Sequence, residues 1–321
     1  MQGSSASVCT LFEGDYHLGL GALVNSLYAH GFRGNIWAGY RGALPPWAKP
    51  LAETAGYTEF QVADGCALRF VHLETTAHLT NFKPDFMLSV LEKHDPACEA
   101  LFYIDPDVVV CERWNYFMEW VSCGVAVCED PGSPYPLHHP RRIGWRRGFE
   151  PFGFTLKPRE SCYANGGFVG VARVNQDFLL TWKRLQDAMW TIIGGAEFAG
   201  IPGGQAIGDR GGFFDCFEKT DQDALNAAIE AAPEISVSFL GRHAMGFESG
   251  KAFLPHSVGA LKPWRNRIIT NALRGYGCPV PDRHFWEFVE MPIRLYPSRV
   301  VRWRRMQLRV AAAIGRFYRR Q

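Results

Sequence analysis

The stretch that decides the fold reads FYIDPDVVVCE and covers residues 102–112. It is an apolar run that carries two aspartates, Asp105 and Asp107, with one proline between them. Pro106 gives up a ladder hydrogen bond, which suits the end of a strand, where the chain leaves the sheet. Side chains alternate along an extended chain, so both carboxylates lie on one face and repel each other. A divalent cation between them would remove this conflict and could also bind a diphosphate.

Segments with strand and helix patterns alternate on both sides of this stretch. Short apolar runs predict strands, and apolar residues three or four positions apart predict helices. Strands are predicted at residues 7–13, 36–40, 66–72, 100–110, 124–130 and 163–173, and helices at 20–28, 84–94, 174–193 and 221–230. This alternation predicts an α/β fold with a mostly parallel sheet between helices, and ligands beyond the carboxyl ends of the strands.

Two segments predict loops. Residues 131–160 are rich in proline, glycine, arginine and aromatic residues, which indicates a long functional excursion. Residues 194–212 hold eight glycines and indicate a flexible loop, either a surface insertion or a lid.

The composition limits the class of protein. A chain of 321 residues fits one large α/β domain or two, and its net charge of +2 names no partner. Nine cysteines without a Cys-x-x-Cys favour reduced thiols in a cytosolic protein. The start, MQGSSASVCT, lacks the pattern of a secretory signal, and no apolar run has the length of a membrane span. We therefore expect a cytoplasmic protein.

The Asp-x-Asp pattern leaves two alternatives to a metal site. The aspartates could be solvated at a strand end, or DPDVV could be the Asp-x-Asp-x-Val pattern of haloacid-dehalogenase-type phosphatases, in which Asp105 would attack phosphate. About 100 residues precede the motif here, and the later Gly-Asp-x-x-x-Asp motif of those enzymes is missing. A phosphohydrolase built on Asp105 stays the second hypothesis.

Two further motifs follow in order, TDQDALN at residues 220–226 and HSVGALKPW at residues 256–264. Together with IDPD they resemble glycosyltransferase family 8, retaining enzymes of the GT-A fold that use nucleotide sugars. The resemblance covers roughly residues 7–265. It implies a GT-A catalytic domain at residues 1–270, with a Rossmann-like mixed sheet flanked by helices.

The resemblance also implies a metal site and a catalytic pair. Asp105, Asp107 and His256 match the metal ligands; an imidazole among carboxylates shifts the preference from Mg²⁺, which stays possible, towards Mn²⁺. Asp221 and Gln222 match the residues that hold the donor sugar. The purely structural alternatives are a hydrogen-bonded loop histidine at position 256 and a helix N-cap at position 221.

The remaining candidates would bind the donor. Lys262 supplies charge for a diphosphate, and Gly259 lets the backbone approach it. The other candidates are Asp15 and Tyr16 at a uridine-binding turn, Lys83 as the nearest cation to an arginine position of the family, and Asn165 in an Asn-x-Gly before a strand. The implied reaction moves a hexose from UDP-galactose or UDP-glucose to a glycan or lipid-linked acceptor. A nucleotide-sugar-binding protein without turnover is the third hypothesis.

The C-terminal extension, residues 271–321, has a separate character. Nine arginines and no acidic residue lie between Arg294 and Arg320, interspersed with aromatic residues. Such a stretch suits an anionic membrane surface, and we expect no nucleic-acid partner. The prediction is a peripheral protein on the inner membrane face. The alternatives are a solvated basic helix, a nucleic-acid contact, and a tail packed on the catalytic domain, with Trp303 and Phe317 in a groove.

Overall fold

The computed structural model describes residues 6–49, 52–54, 56–194 and 216–318. The strands are β1 (Ala6–Glu13), β2 (Gly34–Arg41), β3 (Ala52–Thr54), β4 (Tyr57–Ala63), β5 (Cys66–His72), β6 (Ala100–Ile104), β7 (Val125–Glu129), β8 (Ala164–Ala172) and β9 (Val237–Leu240). The helices are α1 (His17–Ala29), α2 (Lys83–Ser89), α3 (Trp114–Ser122), α4 (Pro140–Phe149), α5 (Asp177–Ile193), α6 (Thr220–Ala231), α7 (Ile268–Leu273), α8 (Val280–Phe285) and α9 (Ser298–Phe317). The predicted α/β class is confirmed.

The chain forms two compact units. The first comprises Met1–Leu11, Leu73–Ile104 and Phe117–Arg242. Its strands lie in the order β1-β6-β8-β7-β9, with β6 parallel to β1 and antiparallel to β8. All five residues of β6 are buried, as its unbroken apolar sequence predicts for a central strand. The sheet is therefore mixed and not mostly parallel, because the neighbour of β6 on one side runs the other way.

The second unit comprises Phe12–His72, Asp105–Tyr116 and His243–Gln321. Its strands lie in the order β3-β4-β5-β2, with β5 parallel to β2 and antiparallel to β4. The tail helix α9 belongs to this unit. It buries Val301, Leu308 and Ala311 in a hydrophobic cluster that also contains Trp264 and Phe285. The division of the chain at residue 270 stays a prediction.

The two segments predicted as loops have different outcomes. Residues 131–160 are not only a loop, since they contain α4, which starts at Pro140, a residue well suited to a first helical turn. Arg142 of α4 is buried because Glu230 accepts a hydrogen bond from its Nε at 2.6 Å. The glycine-rich segment 194–212 lies outside the described residues except for Gly194. Within the described ranges, no helix combines the length and the apolar character that a membrane crossing requires.

Candidate functional site

The two aspartates of the Asp-x-Asp motif lie in a turn that follows β6. The Val108 amide donates to the Asp105 carbonyl at 3.0 Å and closes this turn. Val108 then pairs with His256 in an isolated antiparallel bridge, and the Ser257 amide donates to the Asp107 carbonyl at 3.1 Å. These backbone bonds bring the histidine motif onto the aspartate turn, although more than a hundred residues separate the two in the sequence.

The three predicted metal ligands are brought together. Ligand atoms of Asp105, Asp107 and His256 lie within 4.8 Å of one another. The His256 Nε2 atom is 3.3 Å from Asp107 Oδ1 and 3.7 Å from Asp105 Oδ2. Two carboxylates and one imidazole, all largely withdrawn from solvent, fit a divalent first-row cation by the chemistry of their donor atoms. We call these three residues the metal cluster.

Lys262 also reaches the metal cluster. Its Nζ donates to Asp107 Oδ2 at 2.5 Å and to the Ser257 carbonyl at 2.6 Å, and it lies 5.5 Å from the centre of the Tyr16 ring. Burial alone would lower the pKa of Lys262, but the Asp107 carboxylate raises it above its ordinary value. Burial would likewise raise the pKa of Asp107, yet His256 and Lys262 hold it well below its usual range. The ammonium group of Lys262 therefore stabilises the negative charge of Asp107.

The predicted uridine turn lies on the same motif loop. Asp15 accepts hydrogen bonds from Trp264 Nε1 at 2.9 Å and from Arg265 Nε at 2.6 Å. The Tyr16 ring packs edge-on against Trp264 with centroids 5.5 Å apart. Both Trp264 and Arg265 therefore bind the Asp15 side chain, whereas the Tyr16 ring packs on Trp264 alone of these two. Arg265 follows the last residue of the HSVGALKPW motif, and spacing alone did not identify it as the partner of Asp15.

Two glycines allow the close approach of these segments. A Cβ atom on Gly19, in α1, would lie 2.3 Å from the Pro106 carbonyl oxygen and 2.9 Å from the Trp264 ring. Any side chain there would push α1 away from the aspartate turn. Gly259 has a φ of +85°, a left-handed conformation that other residues adopt only with strain. Its role is therefore to turn the loop between His256 and Lys262.

A second cluster forms in the first unit around Asp221 and Gln222, at the start of α6. The Lys83 side chain, only 1% exposed, donates to Asp221 Oδ2 at 2.9 Å and to the Gly166 carbonyl at 2.8 Å. Its Nζ also lies 5.2 Å from the centre of the Tyr103 ring. Asp221 is therefore the partner of a buried lysine, and it does not cap the helix, because the capping position falls on residue 219, whose side chain makes no cap.

Gln222 has one engaged and one unengaged atom. Its Oε1 accepts from the Gly166 amide at 3.1 Å. Its Nε2 is buried and has no hydrogen-bond partner among the residues that the structure describes. Leaving a buried donor without a partner costs about 1–3 kcal/mol, so such an atom indicates a place for a ligand acceptor. We call Lys83, Asp221 and Gln222 the lysine–amide cluster.

The remaining residues of this region brace the structure. Asn226 grips β8 at both ends of its amide, accepting from the Ala164 amide at 2.8 Å and donating to the Ala164 carbonyl at 2.9 Å. Asn165 donates to the buried Asp130 at 2.9 Å, and Lys219 donates to the same carboxylate at 3.0 Å. The structure thus places Asn165 in a network with Asp130 and Lys219, two residues that no sequence motif singled out.

Asp223, the third acidic position of the TDQD motif, is fully buried. It accepts from the Tyr163 hydroxyl and from the Lys219 amide, each at 2.8 Å. Burial raises the pKa of Asp223 to about 7. Because both of its oxygen atoms are engaged and none of its surface is exposed, Asp223 is not placed to attack a substrate.

No protein-family model matches the chain, and no curated protein matches it. Among the solved structures that match, the apo structure of WbbM, a bifunctional glycosyltransferase, has a TM-score of 0.48 at 15% sequence identity. The match covers 95% of this chain and 52% of that one, so this chain spans about half the length of its neighbour. A likeness at this level assigns no activity to the chain.

Proposed function

We propose that this chain is a metal-dependent glycosyltransferase of the GT-A fold that transfers a hexose from a UDP-sugar, galactose or glucose, with retention. The acceptor would be a glycan or a lipid-linked glycan. One observation carries the proposal: Asp105, Asp107 and His256, predicted from motifs far apart in the sequence, converge with Lys262 around one cation-sized site. Two carboxylates, an imidazole and a lysine form a site that suits a cation bound to a diphosphate.

Asp105, Asp107 and His256 would hold the cation, preferably Mn²⁺. When bound, such a cation supplies Lewis-acid stabilisation of the leaving diphosphate. Lys262 would exchange its contact with Asp107 for the diphosphate and stabilise the negative charge that develops there. Tyr16, whose ring lies edge-on to Trp264, would stack on the uracil base.

The lysine–amide cluster would hold the donor sugar. The unpartnered Nε2 of Gln222 would donate to a sugar hydroxyl, and Asp221, paired with Lys83, would accept from one or face the oxocarbenium-like carbon. Gln222 is an amide and a poor nucleophile, and Asp223 is buried. These facts favour attack of the acceptor on the same face as the leaving UDP, with the departing diphosphate accepting the proton. A covalent step through Asp221 stays open.

The exposed side of α9 supports a peripheral membrane location, on the inner face. Trp303, Met306, Val310 and Phe317 are all exposed and follow one side of the helix. Four arginines, at positions 299, 302, 309 and 316, are exposed as well. Apolar side chains between arginines are the pattern of a helix that lies in the interface of an anionic bilayer.

A thermal-shift experiment tests the proposal. UDP with Mn²⁺ should raise the melting temperature, and neither should do so to the same extent alone, because the diphosphate and the metal ligands share one cation. A ligand at 100 times its Kd stabilises the folded state by about 2.7 kcal/mol. Equal stabilisation by UDP in excess chelator would contradict the metal site. UDP-sugar hydrolysis would separate an enzyme from a binding protein, and phosphatase activity on sugar phosphates would favour the phosphohydrolase.

A further inference from the structure

A groove with a volume of about 470 Å³ has one wall in the HSVGALKPW loop, through Val258 and Leu261. Other parts of its lining come from α7, through Ile268, from the following segment, through Arg274 and Tyr276, and from α8, through Asp282. The volume falls in the range of small-molecule sites, about 300–1,000 Å³. The groove lies within the second unit, on the loop that carries His256 and Lys262, but none of its lining residues belongs to the metal cluster.

Three of the exposed side chains that line the groove are apolar. Val258, Leu261 and Tyr276 are 46%, 63% and 56% exposed, while Ile268 beneath them is buried. A single exposed apolar side chain needs no explanation, but three around one concave surface indicate a site for an apolar ligand. Water in such a groove is displaced with a gain of free energy when a hydrocarbon enters.

The groove also carries a positive charge. Arg274 is exposed and forms no ion pair with any residue in the described ranges. Burial raises the pKa of Asp282, the one acid in the lining, to about 6, and the carboxyl accepts a hydrogen bond from the Asn266 amide and has Arg304 as a neighbouring cation. Its charge is therefore countered within the chain, whereas that of Arg274 is available to a ligand. A guanidinium group binds phosphate in a bidentate manner.

We infer that this groove binds a single-chain lipid phosphate, with the hydrocarbon along Val258, Leu261 and Tyr276 and the phosphate at Arg274. The inference rests on the proposed function, since it names the lipid part of a lipid-linked acceptor. It follows from continuity, because Val258 and Leu261 of the groove belong to the same loop of nine residues, 256–264, as His256 and Lys262. A lipid in the groove would contact Val258 and Leu261, which lie within two residues of His256 and Lys262 in the sequence.

The test uses octyl phosphate below its aggregation concentration, with octyl glucoside and inorganic phosphate as comparison ligands, measured by titration calorimetry on the full chain. Octyl phosphate should bind one to one, octyl glucoside more weakly, and inorganic phosphate not measurably. Tyr276→Ser and Leu261→Gln should each weaken both amphiphiles by about tenfold. Arg274→Gln should weaken octyl phosphate by about tenfold and leave octyl glucoside unchanged.

Two matched controls lie outside the lining of the groove. Leu137→Gln replaces an exposed leucine and Arg147→Gln replaces an exposed arginine, both in the first unit. Neither should change binding. The inference is overturned if Arg316→Gln, on the exposed side of α9, weakens octyl phosphate while the groove variants do not, if octyl phosphate does not bind, or if inorganic phosphate binds equally well.

The same variants separate this inference from the proposed function. Melting temperatures with UDP and Mn²⁺ report on the fold and on the metal cluster in every variant. If these ligands stabilise the protein but the groove substitutions leave the affinity for octyl phosphate unchanged, only the groove inference fails. If octyl phosphate follows the groove substitutions but UDP and Mn²⁺ do not stabilise, the glycosyl transfer fails and the groove stands as a lipid-phosphate site.

Discussion

Each unit of the molecule contains a buried lysine paired with an aspartate, and the two pairs differ in their surroundings. In the first unit, Lys83 binds Asp221 at 2.9 Å and is fixed a second time by the Gly166 carbonyl. In the second, Lys262 binds Asp107, whose other oxygen lies 3.3 Å from His256. Among the residues that the structure describes, the aspartate bound by Lys83 belongs to no candidate metal site, whereas the one bound by Lys262 does.

The difference indicates two uses of charge. Lys83 is built to hold Asp221 in place permanently. Lys262 stands where a divalent cation would also act, so its contact with Asp107 can be exchanged when cation and diphosphate arrive. Arginines of two helices show a similar contrast, because Arg142 of α4 is buried against Glu230, while four arginines of α9 are exposed. The following experiments test this contrast between fixed and exchangeable charge.

The largest expected effect is on catalysis in the second unit. Asp107→Asn removes a carboxylate that the cation needs, and loss of several kcal/mol of charge stabilisation corresponds to at least about a thousandfold drop in UDP-sugar turnover. Turnover with saturating Mn²⁺ measures it. Asp64→Asn, at an exposed site of the same unit, is the matched control and should retain full activity. Near-normal turnover of the Asp107 variant would remove Asp107 from the metal cluster.

The second experiment compares the two lysines directly. Lys83→Met leaves Asp221 without its buried cation and should lower the free energy of unfolding by about 3–5 kcal/mol. Lys262→Met should also destabilise the protein, but Mn²⁺ should restore most of that loss, because the cation replaces the missing ammonium group and binds only the folded state. Urea unfolding with and without Mn²⁺ measures both.

The contrast between the lysines fails in two cases. If Mn²⁺ restores Lys83→Met as well as Lys262→Met, the metal effect is not specific to the metal cluster. If it restores neither, Lys262 does not stand in for the cation. Lys183→Met is the control for loss of a lysine. Lys183 forms partly exposed ion pairs with Asp85 and with Asp187, and such pairs contribute little to stability.

The same clusters show what the sequence could and could not predict. Strand β5 was predicted at its observed bounds, because a short apolar run between turns depends only on local pattern. Helix α4 was missed, because proline, glycine and arginine suggested a loop, and the burial of Arg142 depends on Glu230, 88 residues away. The metal cluster was predicted because its motifs are ordered and specific. The Asp221 partner of Lys83 was not, since nothing local pairs residues 138 positions apart.

The third prediction concerns pH, and the two units have opposite signs. Burial raises the pKa of Asp223 from 3.8 to about 7, so between these values the folded state binds a proton that the unfolded chain has released. Its contribution to stability is therefore complete below about pH 4 and is lost as the pH rises to about 7, a change of up to about 4 kcal/mol. The pKa of Asp107 is lowered, so its contribution is present above about pH 4 and is lost at lower pH.

Urea unfolding of Asp223→Asn between pH 4 and pH 7 measures the first contribution. The free energy of unfolding of the variant should fall less steeply over this range than that of the wild type. The Asp107→Asn variant, measured without metal, should instead lose the decline below pH 4. Parallel curves for wild type and Asp223→Asn would show that Asp223 is ionised in the folded protein.

The fourth prediction concerns the unpartnered atom of the lysine–amide cluster. Gln222→Ala removes the Nε2 donor, and loss of one preorganised donor costs about a hundredfold in turnover. UDP affinity should change little, because the amide would face the sugar and not the diphosphate. Turnover and UDP binding are measured separately. Loss of UDP binding with turnover retained at saturation would show that Gln222 does not face the sugar.

The smallest effects concern the exposed charge of α9. The structure bears out part of one alternative for the tail, since α9 packs on the cluster around Trp264, but Trp303 and Phe317, which that alternative placed in a groove, are 56% and 91% exposed. Truncation is therefore a poor test of membrane binding, because removing residues 294–321 would also remove Val301, Leu308 and Ala311 from the core cluster around Trp264. Single substitutions of exposed arginines test membrane binding without touching that cluster.

Arg302→Gln and Arg309→Gln should each weaken partition onto anionic vesicles by about fivefold, because an arginine near such a surface contributes about 1 kcal/mol. The wild-type attraction should weaken in high salt, since charges separated by more than a Debye length are screened. Arg147→Gln replaces an exposed arginine of the first unit and is the matched control. Flotation at low and high salt measures all three variants. An equal loss with Arg147→Gln would mean that any surface charge serves, and salt-insensitive flotation would mean that the apolar residues of α9 act without its arginines. Either result would remove the exposed charge of the second unit as the cause of membrane binding, and with it this part of the contrast between the two units.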